Sequence, residues 1–273
     1  MNEIILWVLA FISLFVSVFW LQVIYLKKKE KYSLNYFPEV SILIPAYNEE
    51  KNIAKAINSV LNLDYPKDKL KIIVINDGSK DKTKEIASKF KEVLVIDNEH
   101  NGLGKASALN KGLKYANTEF FAVVDADSEV KQDSLKKLII LFRDKNTAAA
   151  ISTIKVKNPK NVLTHIQRLE YILATFIRKL MSKIDTLHIT PGVLSVYRTN
   201  VVKKLNNFDE NNITEDLEIA MRLRYYNYSV KMNDEAITYT NVPSNFKQLW
   251  DQRVRWFRGF IQNNLKYKKM FMS

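Results

Sequence analysis

Val40-Ser41-Ile42-Leu43-Ile44-Pro45-Ala46-Tyr47-Asn48-Glu49-Glu50 opens the part of the chain whose pattern decides the fold. Residues 40–44 (VSILI) form a short apolar run closed by Pro45. Residues 49–61 follow with apolar side chains at Ile53, Ala56, Ile57, Val60 and Leu61, so a strand passes into an amphipathic helix. The unit recurs. Residues 71–75 (KIIVI) lead into Asn76-Asp77-Gly78, and a helix through Ile86, Ala87 and Phe90 precedes a strand over 93–96. A helix over 105–115 then leads to residues 120–124 (FFAVV). Strands of near-continuous apolar residues, separated by helices of about ten, predict an α/β fold with a mostly parallel sheet and helices on both faces.

In such sheets ligands bind beyond the carboxyl ends of the strands, so the polar residues there matter most. The first strand ends in PAYNEE, the second in Asn76-Asp77-Gly78-Ser79, and the fourth in Asp125-Ala126-Asp127, which puts carboxylates on one rim. No G-x-G-x-x-G follows the first strand, which removes a nicotinamide reading. A P-loop fails as well, because Gly104-Lys105 is followed by Ala106, and Glu99 stands where its first glycine would fall. Asp125 and Asp127, two apart in an extended segment, would point the same way and share a hard cation such as Mg²⁺ or Mn²⁺ with substrate phosphates. The alternative reading is a solvated turn at a strand end.

The 273 residues include no cysteine, which excludes thiol nucleophiles, Cys-ligated zinc and disulfide staples. A composition 47% hydrophobic and 26% charged excludes collagen-like and disordered classes. The net charge of +13 is clustered. Residues 27–31 (KKKEK) hold four lysines against one glutamate, and residues 246–273 hold seven basic residues against Asp251 alone. Two terminal clusters fit an anionic membrane better than a nucleic-acid face.

Residues 4–26 (IILWVLAFISLFVSVFWLQVIYL) carry no charge and as a helix span roughly 34 Å, enough to cross a bilayer. Glu3 precedes the run and no A-x-A pattern comes after it, so an uncleaved anchor is expected rather than a signal peptide. Lys27, Lys28, Lys29 and Lys31 then predict a cytoplasmic location for the domain C-terminal to them, with the anchor in the cell membrane.

Six motifs in order now carry a resemblance: SILIPAYNEE, VINDGSKDKT, GLGKASALNKGL, VVDADS, Thr214-Glu215-Asp216, and Gln252-Arg253-Val254-Arg255-Trp256. Over about residues 39–260 the chain resembles the family 2 glycosyltransferases, inverting enzymes of GT-A fold that use nucleotide sugars. TED and QxxRW resemble the membrane-bound branch that includes cellulose, chitin, hyaluronan and poly-N-acetylglucosamine synthases.

The resemblance implies roles. Ala46, Tyr47 and Glu49 would border the nucleoside, and Asp77 would read the uracil or its ribose. Lys105 and Asp125 would meet the nucleotide, Lys105 near its phosphates, and Asp127 with Asp125 would hold Mg²⁺ or Mn²⁺. Asp216 would be the catalytic base with Glu215 beside it, and Gln252, Arg255 and Trp256 would close over the diphosphate and acceptor sugar. The activity implied is β-linked transfer from a UDP-sugar to a glycan hydroxyl, processive or not. The alternatives are single addition to a polyprenyl phosphate or glycolipid, and a non-catalytic nucleotide-sugar binder. Polymer-making relatives surround this domain with several membrane helices and this chain shows one, so the expectation is a truncated sequence, a homo-oligomer or partner membrane subunit that completes a channel, or a chain that exports no polymer. Where Asn76-Asp77 stands, many relatives carry two acidic residues.

The expected division is an anchor over 1–26, a basic linker over 27–38, the GT-A domain over 39–245 and an interfacial helix over 246–273. On a helical wheel Leu249, Trp250, Val254, Phe257, Phe260, Ile261 and Leu265 share an arc of roughly 160°, with Gln252, Arg255 and Trp256 on a separate face. Gly259 marks a possible break. Asp216 at the start of DLEIAMRLRYY is either base or N-cap, and a helix N-terminus would keep it ionised. Residues 162–181 read as a packing or membrane-proximal helix. Pro191-Gly192 reads as a small-residue turn near the acceptor. His100, His165 and His188 lack metal-site spacing and read as structural or surface residues.

Overall fold

The structure is a computed structural model and describes residues 2–26, 36–98 and 104–271. Lys27, Lys28, Lys29, Lys31, Glu99, His100, Gly102 and Leu103 lie outside the described residues.

The elements in chain order are α1 (Asn2–Tyr25), β1 (Val40–Ala46), α2 (Ile53–Leu61), β2 (Leu70–Asn76), α3 (Thr83–Ala87) and β3 (Val93–Asp97). Next come α4 (Lys105–Leu113), β4 (Phe120–Val123), β5 (Glu129–Val130), α5 (Ser134–Ile139), β6 (Thr147–Val156) and α6 (Val162–Lys183). The remainder is β7 (Ser195–Arg198), α7 (Thr199–Lys204), α8 (Glu215–Tyr225), β8 (Ser229–Thr240) and α9 (Phe246–Lys266).

The strands form one sheet in the order β3-β2-β1-β4-β7-β6-β8-β5. Pairings among β3, β2, β1 and β4 are parallel, as is β6 with β8, whereas β7 runs against both β4 and β6. The α/β expectation holds, with that reversal unforeseen. Strand β1 shows why its sequence does not alternate. Val40, Ile42 and Ile44 enter the core on one face of the sheet, while Leu43 joins Ile73, Ile75 and Phe121 on the other. Both faces are dry, so every position selects an apolar residue.

Pro45 does not close β1. The strand continues to Ala46 and pairs Pro45 with Ile75 on β2, while its register with β4 ends at Leu43. With no neighbour on the β4 side, the missing N–H costs no ladder bond. Helix α2 begins four residues later than the pattern suggested, because residues 49–52 form a turn. Helix α3 is a single five-residue turn that leaves Phe90 outside it.

At β1 the strand order reverses, with β2 on one side and β4 on the other. A crevice opens at such a reversal because the connections leave in opposite directions. Above it lie α8 and α9. Helix α1 is exposed along most of its length and touches the body at its end, where Lys183 Nζ donates to the carbonyls of Val23 (3.2 Å) and Ile24 (2.8 Å). A lysine there satisfies terminal carbonyls and the helix dipole. Residues Glu3–Tyr25 are long and apolar enough to cross a membrane.

Candidate active site

A cleft of about 1090 Å³ lies at the carboxyl ends of β1, β2 and β4. Ala46, Tyr47, Glu49, Asp77, Lys105, Asp125, Asp127, Glu215, Asp216, Gln252, Arg255 and Trp256 all line it. Residues separated by up to 210 positions are therefore brought to one cavity.

The rim at the ends of β1 and β2 is built from two interlocked turns. Asn48 (φ 55°) and Gly78 (φ 77°) reverse the chain after β1 and β2, and Asn is among the few residues other than Gly that adopt this conformation readily. Asn48 Oδ1 accepts from the Lys80 amide at 2.9 Å, and the Asn48 amide donates to Ser79 Oγ at 3.0 Å. The Asp77 amide donates to the Ala46 carbonyl at 2.9 Å. Asp77 itself is buried and accepts from Asn98 Nδ2 at 2.7 Å. Asn76 does not enter the cleft: its Nδ2 donates to Asp97 Oδ1 at 2.9 Å, and its Oδ1 accepts from the Ser79 amide. A second acid at 76 would face Asp97, so asparagine suits this chain's own neighbour.

Lys105, at the first turn of α4, ties the floor together. Its Nζ lies 2.5 Å from Asp125 Oδ1 and 3.3 Å from Glu215 Oε1. Burial works against its charge, but Asp125, Glu215 and Asp216 together hold it protonated well above the ordinary lysine range. The Pro191-Gly192 loop lies directly on this pair. A Cβ at Gly192 would fall 2.1 Å from Lys105 Nζ and 2.7 Å from Asp125 Oδ1, and the Asp125 amide donates to the Gly192 carbonyl at 3.0 Å.

Asp125 and Asp127 are not presented by an extended strand. Ala126-Asp127 form a turn closed by the Ser128 amide on the Asp125 carbonyl at 3.0 Å. The carboxylates remain close enough to interact: burial, then the charges of Asp125 and Glu49, push Asp127 up to about 6. Among the described residues no group of three or more His, Asp or Glu side chains could hold a metal unaided.

Asp216 is not the N-cap of α8. Thr214 holds that place, and Asp216 is the second helical residue, its Oδ1 accepting from the Leu217 amide at 2.8 Å. The helix terminus does not keep it strongly acidic either. Burial first, then the adjacent Glu215, raise Asp216 to about 6, outweighing Lys105 and the Leu217 amide.

Helix α9 runs unbroken through Gly259, so the expected break is absent. Its apolar arc is exposed, with Trp250 at 60%, Phe257 at 65% and Leu265 at 68%, as is that of α6 at Ile166, Leu169, Ile172 and Leu173. The two faces of α9 merge at the cleft, where Trp250, Val254, Phe257 and Phe260 join Gln252, Arg255 and Trp256. Gln252 Oε1 is buried without a hydrogen-bond partner among the described residues. One face of Trp256 is covered by Arg253, whose guanidinium lies 4.4 Å from the ring centroid and pairs with Glu170 at 2.5 Å.

Several lining residues escaped the sequence pattern. Helix α6 contributes Glu170, Tyr171 and Arg178, and His188 lines the wall rather than the outer surface. Asn98 supports Asp77 from behind. Only the 3.6-residue periodicity of α6 is visible in sequence, and it does not show which polar residues turn inward. His165 is exposed.

Comparison with known proteins places the chain among glycosyltransferases. The model of Glycosyl transferase family 2 matches residues 41–205. A probable glycosyltransferase of Bacillus subtilis (strain 168), YdaM, is 34% identical over 257 residues, covering 90% of this chain and 60% of that protein. A poly-beta-1,6-N-acetyl-D-glucosamine synthase of Staphylococcus aureus (strain COL) is 32% identical over 267 residues, covering 92% and 64%. The chain thus spans somewhat under two thirds of the curated relatives it matches. Among solved structures, the mannosyltransferase PcManGT of Pyrobaculum calidifontis, bound to GDP-Man and Mn²⁺, superposes with a TM-score of 0.76 at 22% identity, covering 92% of this chain and 71% of that one. TarS of S. aureus, residues 1–349 with UDP, superposes with a TM-score of 0.60 at 25% identity, covering 75% and 60%. On its motifs, its strand order and a family match over most of its length, the chain belongs to glycosyl transferase family 2.

Proposed function

We propose that the chain is a membrane-anchored inverting glycosyltransferase that passes a sugar from a UDP-sugar to a hydroxyl of a glycan acceptor, forming a β-linkage. The observation that carries this reading is the cleft that brings Asp216 and Glu215 together with Lys105, Asp125 and Asp127. Inversion needs a base for the incoming hydroxyl and, on the opposite face of the sugar, positive charge for the departing diphosphate. Asp216, raised toward neutrality yet largely ionised at pH 7.5, accepts the proton of the acceptor hydroxyl. Lys105 and Arg255 take up charge on the diphosphate. Tyr47, Asp77 and Glu49 border the nucleoside, and Gln252 offers its buried Oε1 to a sugar hydroxyl.

The carboxylates fit a divalent cation. Burial first, then the charges of Asp125 and Glu49, disfavour the Asp127 carboxylate, and a bound cation offsets both. Mg²⁺ or Mn²⁺ would rest on Asp127 and Asp125 with donor phosphates completing its shell, supplying countercharge to the leaving group. Asp127→Asn should lower kcat/KM about a hundredfold, and chelation with EDTA should do the same to the unaltered chain. Unchanged rates in both would remove the metal role.

In the same reading residues 1–26 anchor the chain, 39–245 form the catalytic domain, and the apolar faces of α6 and α9 rest on lipid or on further membrane helices. Because the chain has no cysteine, Ser88→Cys on the exposed turn after α3 is a unique thiol. A membrane-impermeant maleimide should label it only in opened or inside-out vesicles. Labelling from outside would reverse the topology.

A second reading, single transfer to a lipid-linked acceptor, draws on the exposed Trp250, Phe257 and Phe260 at the cleft mouth. Membranes incubated with labelled UDP-glucose, UDP-N-acetylglucosamine or GDP-mannose decide between them. A high-molecular-weight product supports polymer synthesis, an organic-extractable one supports single addition, and no transfer from any donor removes the enzymatic reading.

A further inference from the structure

Thr214 is the N-cap of α8, yet its hydroxyl makes no cap bond to that helix. A threonine at this position usually accepts an amide of the first turn, an interaction worth about 1 kcal/mol. Here Thr214 Oγ1 accepts instead from Asn263 Nδ2, 3.0 Å away on α9. Asn263 is fully buried, and the same Nδ2 reaches Asn212 Oδ1 at 3.1 Å and the Gly259 carbonyl at 3.0 Å, while its Oδ1 accepts from Asn212 Nδ2 at 2.9 Å. One turn earlier, Gly259 lets the two helices touch: a Cβ there would lie 2.3 Å from Thr214 Oγ1 and 2.4 Å from its Cγ2. Gln262 adds two bonds to the same loop, accepting from the Ile213 amide and donating to the Asn211 carbonyl, each at 3.1 Å.

These contacts fall between the two halves of the site. Thr214 immediately precedes Glu215 and Asp216. Trp256, Arg255 and Gln252 lie three, four and seven residues before Gly259 on one continuous helix, within about 11 Å along its axis. A shift of α9 at Gly259 therefore moves the QxxRW residues and the start of α8 together.

We propose that Gly259 and Asn263 are positioning residues that, through Thr214, fix Asp216 relative to Gln252, Arg255 and Trp256 for sugar transfer. The inference rests on Asp216 as the proton acceptor. It assigns to Gly259 a requirement for close approach and to Asn263 a role in the turnover step, with donor binding left to the residues at the strand ends.

The test uses the full chain in membranes, with UDP-N-acetylglucosamine as donor, UDP for binding, and thermal melting alongside. Asn263→Ala should lower kcat at least tenfold with donor KM and UDP affinity changed less than twofold. Gly259→Ala should lower kcat about a hundredfold. Moving the glycine across the contact, in Gly259→Ala with Thr214→Gly, should return kcat to within about threefold of Thr214→Gly alone. If Gly259→Ala is folded and turns over at the unaltered rate, the inference is wrong. It is equally wrong if the double substitution restores melting and leaves kcat low, since the contact would then be structural only. An unaltered chain that transfers no sugar overturns the base assignment and this inference with it. Transfer by the unaltered chain, matched by its variants, overturns this inference alone.

Discussion

Asp216→Asn should lose about a thousandfold in kcat and none of its folded stability at pH 8. Removing a positioned base costs on the order of 10²–10⁴ in rate, and the amide cannot accept the acceptor's proton. Donor binding should survive, because the groups assigned to the nucleoside and diphosphate are untouched. The stability half follows from electrostatics. Asp216 sits at about 6, pushed up chiefly by burial and by Glu215, so its charged form is disfavoured in the folded chain. Such a group contributes stability below its ordinary value of 3.8, and that contribution is lost as pH rises through about 6. Asparagine keeps the bond from the Leu217 amide and carries no charge. At pH 8 the variant should therefore melt at or slightly above the unaltered chain, and the difference should shrink toward pH 5. The unaltered chain should show a kcat/KM that falls tenfold per unit below about pH 6. A variant that turns over normally, or an acid limb near pH 4, would show that another group takes the proton.

The parts that carry this prediction differ in how far they can be read from sequence. Strands β1, β2 and β4 are legible because a sheet buried on both faces demands unbroken apolar runs, and their polar ends then mark the rim. The charge state of Asp216 is not legible. Its place near a helix N-terminus argues for a strongly acidic carboxyl, and only the three-dimensional arrangement shows that burial and Glu215 outweigh the helix. The Asp125-Ala126-Asp127 turn is a similar case. Spacing by two suggests a strand, whereas the Ser128 amide folds the segment back, and the carboxylates meet for a different reason.

Long-range partners are the least legible. Asn76 looks like a weakened acidic pair until Asp97, on the neighbouring strand, is seen to take its amide. Gly192 and Gly259 look like turn or breaker residues, yet Gly259 lies inside an unbroken helix and each is small because another element touches it. No local pattern records a contact made across tens of residues. The reversed strand β7 is hidden for the same reason, since a run of four residues, Ser195–Arg198, carries no direction.

Glu218 is the clearest instance of such a partner, and its loss should be the most damaging to stability. In the sequence it is one acid within the helical segment DLEIAMRLRYY, with nothing local to mark it. In the structure it is fully buried beneath α9, and three donors converge on it: Arg222 Nη2 at 2.9 Å, Lys266 Nζ at 2.7 Å and Tyr267 Oη at 2.5 Å. Burial and Glu218 keep the Tyr267 hydroxyl protonated far into the alkaline range, so it remains a donor. Removing one partner of a buried charge network typically costs about 3–5 kcal/mol, because the opposite charges stay buried. Here Lys266 retains Asp209 at 2.6 Å, and Arg222 retains the Leu205 and Asn207 carbonyls, which places Glu218→Ala near about 3 kcal/mol. For a chain of this size that corresponds to a fall of roughly 6–12 °C in melting temperature. Glu218→Gln keeps the shape and an acceptor, and should lose about half as much. Because Lys266 and Tyr267 end the helix that carries Gln252, Arg255 and Trp256, the alanine variant should also lose turnover at temperatures well below its melting point. An alanine variant that melts within about 2 °C of the unaltered chain would mean that α9 is held by its apolar contacts and by the Asn263 bonds rather than by this buried charge.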